Sequence, residues 1–389
     1  AQAAAAEPAI EELPDVLWHL AGYMATGLTV SDAPDQEDTF LAGQFNPMFH
    51  FQYKDLLLFE GEAEIAVEEN GETEFEIEYT QADIFLHDYA TLVMGKFLSP
   101  VGVFQEKLHP SWINRLPDAP AGFGHDGIQP LTDVGAQLRA GIPVGDMVFS
   151  YAIGVGNGPR VNEEGGLELE GFGSDDNDNK SVFGRVSVRP IPSLEIGGSF
   201  LTAKVSGEEG TLTDPETPET TTADFSLWGV DAAFTRGGFD LRFEYLNGDR
   251  DAIVTAVPVE ANEEGEGAEI AVISPASGGG EEAEVGATEA AFLPNLDVEA
   301  WYAQIAYRLS DLTDQRILRD LEPVVRYGEF NVAGLEDLRD EAAEDRFDVG
   351  LNYWLAPSAV IHTSVQWRDF EAAGRETETR FQVELSYGF

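Results

Sequence analysis

Arg380-Phe381-Gln382-Val383-Glu384-Leu385-Ser386-Tyr387-Gly388-Phe389 closes the chain, and its two faces differ completely. A strand turns successive side chains to opposite sides, so Phe381, Val383, Leu385, Tyr387 and Phe389 share one face. Arg380, Gln382, Glu384, Ser386 and Gly388 share the other. A soluble sandwich can bury such an apolar face. An end on Tyr-Gly-Phe with no polar tail instead suits a transmembrane β-barrel strand whose Tyr387 and Phe389 sit in the periplasmic aromatic girdle.

The same parity recurs upstream. Ile361, Thr363, Val365 and Trp367 alternate with His362, Ser364, Gln366 and Arg368, and Phe347, Val349, Leu351 and Tyr353 with Arg346, Asp348, Gly350 and Asn352. Trp301, Ala303, Ile305 and Tyr307 oppose Tyr302, Gln304 and Arg308; Phe239, Leu241, Phe243 and Tyr245 oppose Asp240, Arg242 and Glu244. About sixteen alternating segments follow from this reading: 17–30, 42–53, 56–68, 73–85, 89–98, 131–142, 146–156, 181–190, 193–204, 223–235, 238–248, 296–309, 319–331, 345–355, 358–370 and 377–389. Pro323 lacks the N–H that a ladder needs, so its segment is expected to bulge or to start later. On this template the lipid face rejects arginine at Val365 or Val383, and the lumen face tolerates it at Gln366 or Gln382.

Connection lengths alternate too. Lys54-Asp55, His87-Asp88, Pro143-Val144-Gly145, Ile191-Pro192, Arg236-Gly237 and Ala356-Pro357 are tight turns, with Ser310–Ile317 somewhat longer. Most of the intervening links are long: 31–41, 99–130, 157–180, 205–222, 249–295 and 332–344. Short periplasmic turns and long extracellular loops are the bacterial barrel pattern, and an even strand count returns both termini to the periplasm. The expected fold class is therefore all-β: a transmembrane antiparallel barrel over 17–389, after a periplasmic N-terminal tail at 1–16 with a short helix from Glu11.

Composition narrows the function. With 43% hydrophobic residues in 389, the chain can bury a large core. It has no apolar run long enough for a membrane helix, which does not bear on a barrel. The first residues lack a basic n-region and an h-region, as expected of a mature chain after signal removal. No cysteine is present, so disulfides and thiolate-held metals are ruled out. A net charge of -50 makes nucleic acid an improbable partner. The acids crowd into 162–179, 205–222, 260–289 and 334–345, and lysines number five against 17 arginines. That pattern suits a halophilic surface kept hydrated in high salt, or the solvated loops of an ordinary acidic protein.

The stretch 99–130 is the exception among the long links, being apolar, aromatic and nearly free of acids. Exposed to water it would be costly, so it is expected to fold into the lumen as a constriction loop; a lid over the mouth or a subunit contact is the alternative. Parity also sends Arg139, Arg185, Arg189, Arg242, Arg308, Arg326, Arg346, Arg368 and Arg380 inward. Either they set a positive potential that attracts anions, or they pair with Asp231, Asp240, Glu244, Asp348 or Glu384 and brace the wall.

Gly95-Lys96-Phe97-Leu98-Ser99-Pro100-Val101-Gly102, leading into Leu108-His109-Pro110-Ser111-Trp112, resembles the constriction loop of outer-membrane porins of the phosphate-selective porin O/P superfamily. The resemblance implies a trimeric diffusion channel in the outer membrane of a Gram-negative bacterium, in contact with lipid and lipopolysaccharide. It also implies a pore lined by an arginine ladder and constriction lysines, for which Lys96 and Lys107 are the nearest matches, with His109 and Arg115 beside them in the loop. No lysine-rich cluster accompanies them, a departure from the phosphate-selective pattern.

Other chemistry is thin. His362-x-Ser364 has the elements of a nucleophile pair, but parity turns both into the lumen, away from a lipid substrate. Asp175, Asp176 and Asp178 offer hard oxygens suited to Ca²⁺ without the twelve-residue loop and its terminal Glu. No nucleotide, zinc or redox motif appears, so neither an enzyme nor a resident cofactor is expected. The reading is a porin passing small hydrophilic solutes or ions, anion-leaning at the constriction. The alternative is a structural or adhesive barrel whose acidic loops bind neighbours or divalent cations.

Overall fold

The computed structural model describes residues 15–34, 38–67, 71–125, 127–161, 166–175, 177–206, 222–258, 288–372 and 374–389. The expected tail, except for its last two residues, and nearly all of the acidic stretches 205–222 and 260–289 lie outside them.

Alternation becomes strand wherever it was read. The sequence runs β1 (Val16–Ser31), β2 (Thr39–Tyr53), β3 (Leu57–Val67), β4 (Thr73–His87), β5 (Ala90–Leu98), β6 (Thr132–Val144) and β7 (Met147–Gly156). A small hairpin, β8 (Arg160–Val161) with β9 (Leu167–Glu168), follows. Next come β10 (Ser181–Ile191), β11 (Leu194–Ser206), β12 (Thr222–Arg236) and β13 (Phe239–Arg250). A second separate pair is β14 (Ile253–Pro258) and β15 (Thr288–Leu293). The last five are β16 (Leu296–Tyr307), β17 (Leu321–Ala333), β18 (Glu344–Ala356), β19 (Ala359–Phe370) and β20 (Glu378–Gly388). Sixteen of these strands, all but the two small pairs, form one closed barrel in which sequence neighbours pair antiparallel.

The terminal strand makes the closure. It pairs with β1 from Tyr23 opposite Gly388 to Ser31 opposite Arg380, and Gly22 and Phe389 exchange backbone hydrogen bonds of 3.1 and 2.9 Å. No backbone edge is left for lipid to meet, which a bilayer requires of a sheet.

The barrel is apolar outside and polar inside. Trp228, Val186, Ile153, Phe347 and Leu385 are exposed, whereas Asp348, Asn352, His362, Gln366 and Ser386 are buried. Outer aromatics pair across strands, as in Phe239 with Tyr307 at 4.4 Å and Trp301 with Tyr327 at 5.6 Å. No helix among the described residues is long and apolar enough to cross a membrane, which says nothing of a barrel.

Pro323 requires a correction. β17 starts before it and does not bulge, because the ladder to β16 begins only at Val324, opposite Ala306. At Pro323 the strand is paired on its β18 side alone, opposite Leu351, so proline sits where one edge is open.

Candidate functional site

The site is the lumen and the loop from Ser99 to Leu131 that fills much of it. The loop's two ends are joined at its root by the Ser99 N–H to the Leu131 carbonyl at 3.0 Å. From there it crosses to the far wall. Val101, Phe104, Leu108, Ala121, Phe123 and Ile128 pack with Phe183, Leu201, Phe225, Leu246, Val298, Tyr302 and Phe330 from β10–β17. One sector of the inner wall is thus apolar, and that sector holds the apolar loop away from water.

Polar contacts fix its position. The short helix α1 (Phe104–Leu108) begins against Glu244 of β13, whose carboxylate accepts the Val103 N–H at 2.6 Å and the Phe104 N–H at 3.1 Å. Further along, Arg326 donates to the Asp118 and Ala119 carbonyls at 3.0 and 3.2 Å, and Asn352 to the Arg115 carbonyl at 2.9 Å. The Asp118 carboxylate takes Gln382, Gln366 and Arg380 at 2.9, 3.2 and 3.3 Å. Two wall glycines record how close the loop comes: a Cβ at Gly388 would lie 2.6 Å from the Trp112 ring nitrogen, and one at Gly350 2.5 Å from Leu116.

Arginine at Gln366 or Gln382 is therefore not neutral. The expectation treated the lumen as open water, but both amides are buried in contact with Asp118.

Two cavities flank the loop. The larger, about 980 Å³, is bounded by Glu168 and Glu170 of the β7–β10 connection, Glu341 of the β17–β18 connection, His109 and Asp118 of the loop, and wall residues on both sides, from Gln44, Glu64 and Glu78 of β2–β4 to Arg346, Arg368 and Arg380 of β18–β20. The smaller, about 320 Å³, lies toward the turn ends of the strands, among Thr91, Lys107, Arg139, Ser150 and Arg185.

The expected basic lining is present and neutralised. Arg139 pairs with Asp83 at 2.8 Å, Arg185 with Asp231 at 2.6 Å, Arg189 with Glu195 at 3.0 Å and Arg242 with Asp240 at 2.6 Å. Arg326 meets Asp348 at 3.0 Å, Arg368 meets Glu344 at 2.6 Å and Arg346 also pairs with Glu344. Arg308 faces Asp320 at 3.7 Å, Arg115 lies 3.6 Å from both Asp240 and Glu322, and Lys107 meets Glu195 at 2.8 Å. Each inward cation expected to draw anions has a carboxylate beside it, so bracing of the wall is the arrangement found. Of the five acids named for that role, Asp231, Asp240 and Asp348 fill it, while Glu244 holds the loop and Glu384 accepts from the Ser386 hydroxyl at 2.7 Å.

Lys96 falls outside this group. It alternates with Val93 and Phe97, whose side chains join the lumen cluster, and on the opposite face its ammonium donates to the Ile77 carbonyl at 2.8 Å and to Glu76 at 3.4 Å. His362 shares its ring nitrogens between Asn352 Oδ1 at 2.9 Å and the Ser111 carbonyl at 3.2 Å, and the Ser364 hydroxyl donates to Gln382 at 3.4 Å. The pair braces the wall and the loop rather than forming a nucleophile with its base. Asp175 is engaged by Lys180 and by the Asn177 N–H at 2.9 Å, Asp178 takes a left-handed backbone, and Asp176 lies outside the described residues. No metal-holding group of His, Asp and Glu occurs among the described residues.

Residues that sequence reasoning passed over complete the site. Glu60, Glu62 and Glu64 rise in alternation up β3, facing Glu78 and Asp83 of β4, with Asn46 and Gln44 beside them on β2. The signal was available: the same parity that placed the arginines inside also places these acids there.

No protein-family model matches the chain, and no curated protein matches it in sequence. Solved structures do match in fold. An anion-selective porin from Comamonas acidovorans superposes with a TM-score of 0.57 at 9% identity, over 96% of this chain and 100% of that one. OmpT, an outer membrane protein of Vibrio cholerae in a trimer form, gives 0.55 at 13% over 97% and 100%. The outer membrane channel DcaP of Acinetobacter baumannii gives 0.55 at 10% over 96% and 97%. By fold, this chain is a closed sixteen-stranded antiparallel barrel like those of these outer-membrane proteins.

Proposed function

We propose that the protein is an outer-membrane porin that passes small hydrophilic solutes or ions across the outer membrane of a Gram-negative bacterium. The observation that carries this reading is the inverted barrel. Its apolar outer face suits lipid, and its polar lumen holds a cavity of about 980 Å³ behind a constriction loop. Sixteen-stranded relatives in fold include an anion-selective porin and a channel, and one is described in a trimer form, which supports a homotrimer set among lipid and lipopolysaccharide. The pairing of every expected lumen cation argues against a strong anion preference. A planar-bilayer recording tests the reading, with stepwise current expected.

A second reading is favoured by one observation. The loop is bonded to β13, β17, β18, β19 and β20 at once, as a plug would be. A structural or adhesive barrel whose acidic outer loops bind neighbours or divalent cations would share this fold and carry no current.

A further inference from the structure

On the β18–β19 wall the cations outnumber the acids that could match them. Arg346 and Arg368 stand directly opposite each other across this ladder, and both border the large cavity. Like charges directly opposite on one face of a sheet destabilise the pairing. The acids nearby are mostly taken: Asp348 pairs with Arg326, Asp118 with Arg380 and Glu378 with Arg375. Glu344 is left to serve both, with one oxygen to Arg346 and the other to Arg368 at 2.6 Å. Two guanidinium groups thus share one carboxylate, and a positive charge is left over beside the cavity.

That surplus is reachable. The Arg346 and Arg368 side chains are 13% and 18% exposed. Among the described residues the Arg368 side chain makes one hydrogen bond, through Nε, so both of its Nη groups are without an acceptor. Its guanidinium lies 4.6 Å over the Phe370 ring, which holds the planar fork in place. Such a fork takes a carboxylate or a phosphate through two parallel hydrogen bonds. The rest of the cavity decides between them. Glu64 and Glu78 of β3–β4, Glu168 and Glu341 border it as well, so each charge on a ligand beyond the first meets repulsion that the arginines do not offset. Beside the arginines the border is apolar: Leu338 and Ala342 of the short helix Glu336–Ala342 line it, and Phe330 of β17 lies opposite Glu344. The volume of about 980 Å³ is within the range of ligand pockets.

We infer that the large cavity holds a binding site for a singly charged organic carboxylate with an apolar body, its head group on Arg368 and Arg346 and its body toward Leu338 and Ala342. One surplus charge makes a local site and not a general anion preference. The site is complete in the folded barrel, whether or not the barrel conducts.

Isothermal titration of the folded protein in detergent with benzoate, benzamide and inorganic phosphate tests this without requiring current. Benzoate should bind saturably, one per chain, and benzamide and phosphate at least tenfold more weakly, since one lacks the charge and the other carries too much of it. Arg368→Gln should weaken benzoate about tenfold or more, the loss of a charge-assisted hydrogen bond. Glu344→Gln removes the carboxylate that competes for the same two arginines and should tighten benzoate, a sign that a merely structural role would not produce; it carries the test if Arg368→Gln fails to fold. Arg236→Gln, at the turn end of β12, should change nothing. Benzamide or phosphate bound as tightly as benzoate would overturn the inference. So would a benzoate affinity that Arg368→Gln leaves unmoved or that Glu344→Gln lowers.

Discussion

Asp118 is the point at which the loop tip is latched to the wall, and removing its charge should release that tip without unfolding the barrel. The carboxylate accepts from Gln382, Gln366 and Arg380 at 2.9, 3.2 and 3.3 Å. Burial alone would raise its pKa, but Arg380, Arg346, the Gln382 bond and Arg326 outweigh it and hold the group below the usual carboxylate range. A hydrogen bond to a charged group contributes about 1.5–3 kcal/mol and a neutral one about 1. The Asp118 and Arg380 side chains are 25% and 17% exposed, which places the pair at the lower end. Asp118→Ala should therefore weaken the closed loop by roughly 2–4 kcal/mol. At a factor of ten per 1.4 kcal/mol, amide exchange at Ile113, Asn114 and Phe123 should accelerate by about 30-fold to several hundred-fold. Hydrogen exchange by mass spectrometry reads this without requiring current. Because the folded pKa is depressed, the latch is intact above the unfolded value near 3.9 and is lost as pH falls below that toward the folded value. Unchanged exchange in the loop of Asp118→Ala would refute the latch.

Three further outcomes follow. Val383→Arg should cost roughly 2–4 kcal/mol near the bilayer midplane, read by denaturant unfolding in lipid, and the absence of a cost would contradict the assigned faces. Glu244→Ala should loosen the loop root by leaving the Val103 and Phe104 N–H groups without their acceptor, while Glu244→Gln retains an acceptor and should be milder; equal exchange rates in the two variants would argue against the anchoring role. The hydrogen bond that His125 of the loop donates to Glu170 of the β7–β10 connection lifts the His125 pKa to about 9 and lowers that of Glu170. The pair's stabilisation is then complete between the ordinary glutamate value of about 4.3 and about 6.5, is lost as pH rises through about 9, and is lost on the acid side as pH falls below the ordinary glutamate value. An NMR midpoint for His125 near 6.5 would refute the pairing.

The barrel was legible because lipid imposes a strict rule on one face. Every second residue of a spanning strand must be apolar, and the opposite positions in β18–β20 are polar enough to expose the period. The inward course of the 99–130 stretch was legible for the same reason, since its composition is unsuited to water. Pairing across the lumen was not. Whether Arg185 attracts anions or meets Asp231 depends on the register of β10 against β11 and β12, and nothing in the spacing of a single strand records that. The acids at Glu60, Glu62 and Glu64 were visible by parity but were outnumbered in attention by arginines, which are rare here and therefore conspicuous. The small pairs β8–β9 and β14–β15 are too short, and the short helix Glu336–Ala342 too embedded in an acidic stretch, for periodicity to single them out.

The central claim is that water and ions pass beside the loop, and single-channel recording from the purified protein in planar bilayers tests it most directly. The parent should give discrete conductance steps, and deletion of Glu106–Ala121, which removes the segment bonded to β17–β20, should enlarge them. Silent bilayers with both proteins, each shown to be folded and inserted, would contradict the account.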